Sequence, residues 1–260
     1  MKENYQTILF EGIASQLKSK VNSIGQLYGS AMSLAIAECL IKSNNMMVVI
    51  TPNIEASETL LNEINFFNQT NKVIEVLPDL EILPYDISPP NIDTVSKQSN
   101  ILYKLAHKKI DLLIVSATNL LWRLPPKEYI KNGSLELNIN QILNIDALRN
   151  QLTSSGYKRV SMVRNPGDFS IRGSLVDLFS PSLDNPLRVD FSDDIIESLR
   201  IFDYENQLTL QIINQAMIIP ANHYPNSSEA FDIFKENMRN SFEGNQMDWP
   251  LYNLIETDAA

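Results

Sequence analysis

The sequence predicts an α/β fold: helices alternate with buried parallel strands in the first half, and a smaller α+β domain follows. Three observations predict it. Short continuous apolar runs alternate with segments of helical spacing through the first 120 or so residues. The prolines Pro125-Pro126 then break that pattern. Beyond them, strands of period 2 follow one another at turn-length separations, the grammar of hairpins rather than of crossovers.

Taken in order, Ser33 to Ile41 is apolar and alanine-containing, which suits a helix, and Met46-Met47-Val48-Val49-Ile50 suits a buried strand. Pro52 and Asn53 punctuate, and Leu60, Leu61, Ile64 and Phe67 then mark a helix over Ile54 to Phe67. Val73 to Val76 reads as a strand, Thr94 to Leu105 as a helix, and Ile110 to Val115 as a third buried strand. Phe66-Phe67 and Leu120-Leu121-Trp122 sit at helical spacing and are expected in the core.

In the second region, Leu135, Leu137 and Ile139 alternate with polar residues, and Asp146 to Leu152 reads as a short helix capped by Asp146 and closed by Gly156. Val160 to Val163 is expected as a strand, turning at Asn165-Pro166-Gly167 into one long strand over 167–179 with Arg172 on its polar side. Leu187-Arg188-Val189-Asp190-Phe191 alternates cleanly. Leu187, Val189 and Phe191 share one face, so Arg188 and Asp190 point the other way. Asp193-Asp194 and Glu197 read as a solvated turn and the strand after it rather than as paired acid–base groups. Met217 to Pro220 is a further strand, and Ser228 to Phe242 a helix. The tail 248–252 has no clear element and stops as if a domain were cut.

Composition bounds the function. Of 260 residues, 44% are hydrophobic and 20% charged, as in a soluble globular protein. Lys+Arg 21 against Asp+Glu 31 gives a net charge of −10, which opposes general nucleic-acid binding because that affinity comes largely from neutralised phosphates. The single cysteine, Cys39, excludes an intrachain disulfide and suits a reducing compartment. His107 and His223 fall at no metal-ligand spacing. The apolar runs are too short to span a membrane and the start lacks a signal-peptide pattern, so a cytoplasmic location is expected.

Tyr28-Gly29-Ser30-Ala31-Met32-Ser33 precedes a helix, where nucleotide-binding α/β domains carry G-x-x-x-x-G-K-[ST]. Aligned so, Gly29 and Ser30 lead into Ala31 at the last glycine and Met32 at the lysine, and Ser33 keeps the hydroxyl position expected to hold Mg²⁺. A methionine cannot donate to phosphate, and alanine does not share the positive-φ freedom of glycine. The stretch is either a phosphate loop that has lost its chemistry or a coincidental helix start. In both cases ATP binding is not expected here, and neither metal nor cofactor is implied.

The block 167–179, Gly-Asp-Phe-Ser-Ile-Arg-Gly-Ser-Leu-Val-Asp-Leu-Phe, followed by 188–203 from Arg188-Val189-Asp190-Phe191 to Asp203, resembles the UvrB-homology module. That module occurs in the excision-repair helicase UvrB and at the N-terminus of the transcription-repair coupling factor Mfd. Leu77-Pro78-Asp79-Leu80-Glu81-Ile82-Leu83-Pro84-Tyr85-Asp86, with Leu102-Tyr103-Lys104-Leu105 beyond, resembles the Mfd form, as do the degenerate phosphate loop and Gly156-Tyr157-Lys158-Arg159-Val160. The resemblance implies a degenerate RecA-like, P-loop NTPase-type sheet domain over 1–126, an inserted α+β domain that binds UvrA over 127–212, and the start of a further UvrB-like segment over 213–260. It implies a non-catalytic adaptor that recruits the excision-repair protein UvrA, RNA polymerase and DNA being contacted only through domains outside this chain. The UvrA-facing positions it implies are Arg172, Arg188 and Ser192, the last standing where the family often has a second phenylalanine. Rival readings are an ATP-dependent helicase fragment of UvrB type, opposed by Met32, and a DNA-binding module, opposed by the acidic balance.

Overall fold

In a computed structural model, residues 24–68, 70–82, 90–225, 228–241 and 243–244 are described. The chain divides into two compact units, one of 1–90 with 104–123 and one of 91–103 with 124–260.

The first unit begins with helix α1 (Ala31–Lys42), strand β1 (Met47–Thr51), helix α2 (Ile54–Phe67) and strand β2 (Ile74–Leu77). Helix α3 (Ile92–Ala106) is divided, its residues up to Tyr103 grouping with the second unit and those from Lys104 with the first, to which strand β3 (Leu112–Ser116) also belongs. The three strands pair in parallel in the order β1-β3-β2, Met47 standing opposite Leu112 and Ile74 opposite the same residue on the other side. The central strand β3 is buried throughout, which is why its sequence is a continuous apolar run. Leu112 and Ile114 pack there with Ala37 and Leu40 of α1 and Leu60 and Ile64 of α2. Asn53 caps α2, its side chain accepting from the Ala56 amide at 2.9 Å.

Phe66 departs from expectation: it is 81% exposed, whereas Phe67 joins the core. Adjacent helical residues cannot face the same way, and Leu60, Ile64 and Phe67 have already set the buried stripe. Phe66 instead packs edge-on against the Phe67 ring, with centroids 5.2 Å apart. Leu120 and Leu121 are likewise exposed, because the 3₁₀ turn over Asn119–Leu121 buries only Asn119, whose amide donates to the Leu77 and Pro78 carbonyls.

The second unit contains helix α4 (Lys127–Asn132), strand β4 (Leu135–Asn138), helix α5 (Ile145–Ser154) and strand β5 (Lys158–Arg159). Strands β6 (Asp168–Arg172), β7 (Leu175–Leu178), β8 (Leu187–Ser192), β9 (Ile195–Phe202) and β10 (Thr209–Ile213) follow, and then strand β11 (Gln215–Ile218) and helix α6 (Ser228–Ser241). A six-stranded sheet runs in the order β10-β9-β8-β7-β6-β5, antiparallel except for the short β5–β6 pair. Its inner face buries Phe169, Val176, Leu178, Leu187, Val189, Phe191, Ile196 and Leu199 against Leu148 and Leu152 of α5. β11 lies beyond the boundary expected at 212/213, yet it pairs antiparallel with β4, and Ala216 and Ile218 enter the same core. The chain beyond 212 therefore closes this unit before any further segment starts.

Asn144, not Asp146, caps α5: its side chain accepts from the Asp146 and Ala147 amides, and Asp146 in the first turn pairs with Arg149. Gly156 does follow the helix, at φ +85° and with no room for a Cβ beside Asn222. Val160 to Val163 is not a strand. The Val160 amide donates to Phe169, but the Arg164 and Asn165 amides turn in to Asp168 Oδ2, which ends the ladder. The long strand expected over 167–179 is two strands joined at Gly173-Ser174, with Gly173 at φ +62°, the positive φ a type II′ hairpin needs at its first loop position. The tail residues 248–252 and Phe242 lie outside the described residues. Among those described, no helix is long and apolar enough to cross a membrane.

Candidate functional site

The outer face of the six-stranded sheet carries the two arginines singled out by the sequence. Strand register places Ser170, Asp177, Arg188, Arg200 and Ile212 opposite one another in a row across β6 to β10. Side chains paired in register share a face, so Asp177 stands in the open on the backbone's terms. Its carboxylate is nevertheless only 3% exposed, because the arginines cover it.

Arg188 grips Asp177 with two hydrogen bonds: Nε donates to Oδ1 at 2.7 Å and a terminal nitrogen donates to Oδ2 at 2.9 Å. This bidentate fit is the strong form of an arginine–carboxylate contact. The same guanidinium donates to Gln207 Oε1 at 3.1 Å and lies 4.5 Å from the centroid of the Phe202 ring, a cation–π arrangement. Hydrogen bonding to Asp177 holds its pKa above the ordinary arginine value, against the opposing effect of burial. At 17% exposed, the Arg188 side chain is built into the sheet surface.

Arg172 is different. At the end of β6 it donates from one terminal nitrogen to Asp177 Oδ2 and is 52% exposed. Two cations on one carboxylate leave one positive charge over, and Arg172 carries it outward. Arg200 stands directly opposite Arg188, a pairing of like charges that is unfavourable by itself. The arrangement relieves it by giving each arginine its own acid: Asp177 for Arg188, and Asp190 for Arg200 at 2.9 Å.

Ser192 ends β8, exposed, opposite Ile195 across the two-residue loop Asp193-Asp194. It is four residues along the strand from Arg188, or roughly 13 Å. The exposed Ile195 in turn bridges to Ile142, also exposed, so aliphatic surface stands beside the serine.

Gly29, Ser30, Met32 and Ser33 lie in the first unit, at the start of α1. Gly29 turns the chain at φ +57°, and Ser30 occupies the N-cap position without capping. Its hydroxyl donates instead to Glu63 Oε1 of α2 at 3.0 Å, and the buried Ser33 hydroxyl donates to Glu63 Oε2. Met32 is exposed. Both hydroxyls are therefore committed to one carboxylate of the chain itself.

Sequence reasoning found Arg172 and Arg188 but passed over Asp177, Phe202, Gln207 and Glu63. For Asp177 a signal was present: an acid inside the apolar run Leu175-Val176-Asp177-Leu178-Phe179 cannot be buried without a partner. The nearby acids Asp168 and Asp190 are engaged elsewhere, Asp168 by the Arg164 and Asn165 amides and Asp190 by Arg200. Glu63 gave no signal, since its contacts are 30 and 33 residues away.

Comparison with known proteins bears on both units. The family model described as the UvrB interaction domain matches residues 135–224, from β4 to just past β11. The transcription-repair-coupling factor of Escherichia coli (strain K12) is 35% identical over 220 residues, covering 85% of this chain and 19% of that protein. The corresponding factor of Haemophilus influenzae is 31% identical over 84% of this chain and 19% of its own length, and that of Rickettsia bellii 32% over 87% and 20%. The chain thus spans about a fifth of the length of the curated relatives it matches. Residues 135–224 thus match the UvrB interaction domain, and most of the chain is similar to one segment of the transcription-repair-coupling factors.

Proposed function

We propose that this chain is the N-terminal, non-catalytic adaptor portion of a transcription-repair coupling factor, and that the outer face of its six-stranded sheet recruits UvrA. The observation that carries the reading is the surplus positive charge on that face, presented by Arg172 from a carboxylate already held by Arg188. Arginine is enriched among interface hot spots, and its planar fork suits acidic groups on a partner. The first unit is read as a degenerate RecA-like domain whose loop residues Gly29, Ser30, Met32 and Ser33 no longer serve a nucleotide. The closed contact of Ser30 and Ser33 with Glu63 supports that reading. Contacts of the whole protein with RNA polymerase and DNA are assigned to segments outside this chain.

The test is equilibrium binding of the chain to UvrA. Arg172→Ala and Arg188→Ala are each expected to weaken it by roughly tenfold or more, the scale of about 1.4 kcal/mol and above for a hot-spot arginine. Unchanged affinity in both variants would sink the reading. In parallel, ATP with Mg²⁺ is expected to leave the melting temperature unmoved, and a rise that scales with ATP concentration would restore an ATPase reading.

A further inference from the structure

We infer that Asp177, which contacts no partner itself, is the positioning residue of this docking face; the inference rests on the UvrA reading above. The three residues sit on three adjacent strands. Arg172 ends β6, Asp177 lies in β7, and Arg188 lies in β8 directly opposite Asp177. The carboxylate is the only group described that touches both guanidinium groups.

Without it, two cations would face each other across β7, and each long side chain would regain its rotamer freedom. With it, Arg188 is fixed at four points: two on Asp177, one on Gln207 and the face of Phe202. Arg172 is fixed at one. Asp177 therefore makes the arginines unequal. Arg188 is the anchored member that fixes the carboxylate, and Arg172 is the arm that a partner's acid can take over while Asp177 keeps Arg188. Preorganisation of this kind raises affinity by lowering the ordering cost of association.

The inference has a sign that a purely electrostatic attraction does not share. Asp177→Asn removes one negative charge from the face. If the field alone recruits an acidic partner, that variant binds UvrA more tightly. If Asp177 positions the arginines, it binds more weakly even though the face has become more positive.

The experiment measures UvrA affinity of the whole chain for the native sequence, Asp177→Asn, the double variant Arg172→Ala/Arg188→Ala, and the triple variant combining them. The expected result is a loss of about tenfold for Asp177→Asn and less than about twofold on adding it to the double variant, the coupling that a double-mutant cycle isolates. Equal or tighter binding by Asp177→Asn would overturn the assignment, as would a loss of the same size in both backgrounds, which is what general structural damage would give. Should Asp177→Asn fail to fold, Gln207→Ala removes one fixing point of Arg188 from a loop next to β10. It is expected to weaken binding about threefold, and no change would overturn the assignment. A native chain that does not bind UvrA brings down the docking reading and the inference with it. A native chain that binds while Asp177→Asn binds equally well brings down the inference alone.

Discussion

Glu63 and Asp177 are two carboxylates put to opposite use. Glu63 accepts from two neutral hydroxyls, Ser30 and Ser33, at the first turn of α1, where the helix dipole also favours a negative charge. Its donors are consumed and the charge left over is negative. Asp177 accepts from two cations, and the charge left over is positive and faces outward. The same device, one acid bridging two side chains, closes one place to anions and opens the other to them. Whether the donors carry charge decides which.

The largest effect should come from removing the acid that holds charged donors. Asp177→Ala leaves Arg188 partly buried against Phe202 without its counter-charge, and breaking a buried pair from one side costs about 3 kcal/mol or more. Calorimetry or denaturant unfolding would show it, and a loss below about 1 kcal/mol would mean that water replaces the carboxylate, so that the comparison fails on this side. Glu63→Ala should cost less, about 1–3 kcal/mol, since only the Ser33 hydroxyl is left buried without its acceptor. It should also gain no measurable affinity for inorganic phosphate, because the run Gly29 to Ser33 holds no cation. Phosphate binding by that variant would show that Glu63 alone closes the loop. Smaller again is Asn144→Ala at the cap of α5, about 1 kcal/mol, with UvrA affinity unchanged. This variant separates general loss of stability in the second unit from damage to the arginine face.

The smallest effect is set by pH. The Asp111 carboxyl is held below its ordinary value of 3.8 by the Val73 amide and then by Lys72. A depressed carboxyl contributes stability that is present above its unfolded pKa and is lost as pH falls through the folded one. Asp111→Asn should therefore lower stability slightly at neutral pH, by the small amount expected for a partly exposed pair, and leave it unchanged at the acid end, so that the acid limb flattens. A variant profile that parallels the native one would remove Asp111 from the account.

Much of the first unit was legible because its central strand is buried on both faces, although Val48 and Ile50 of the strand beside it are exposed. Burial of that kind writes Leu112 to Val115 as an apolar run and α2 as a stripe at Leu60, Ile64 and Phe67. The misreadings are local and share a cause. At Val160 to Val163, β-branched residues suggested a strand, but Asp168, several residues on, takes the amides that would have continued the ladder. At α5 the expected cap, Asp146, lies inside the first turn, and Asn144, two residues earlier, takes the role because its side chain accepts from both the Asp146 and Ala147 amides. At Phe66 an aromatic pair looked like core, although a helix can turn only one of two neighbours inward.

By itself the sequence determined the alternation of strands and helices, the face on which Arg188 lies, and the absence of a lysine from Gly29 to Ser33. Each follows from residue type and a local period, and needs no knowledge of what packs against it. Only the tertiary structure decided that Arg172 and Arg188 meet on one carboxylate, that Arg188 is anchored while Arg172 is free to reach outward, and that Glu63 accepts from Ser30 and Ser33. Those facts depend on register between strands 11 residues apart for Arg188 and Asp177, and on contacts 30 and 33 residues apart for Glu63. Hydrogen bonds at that separation leave no period in the chain, because geometry that brings two strands or two helices together is fixed by the shared core and not by the residues that happen to touch across it.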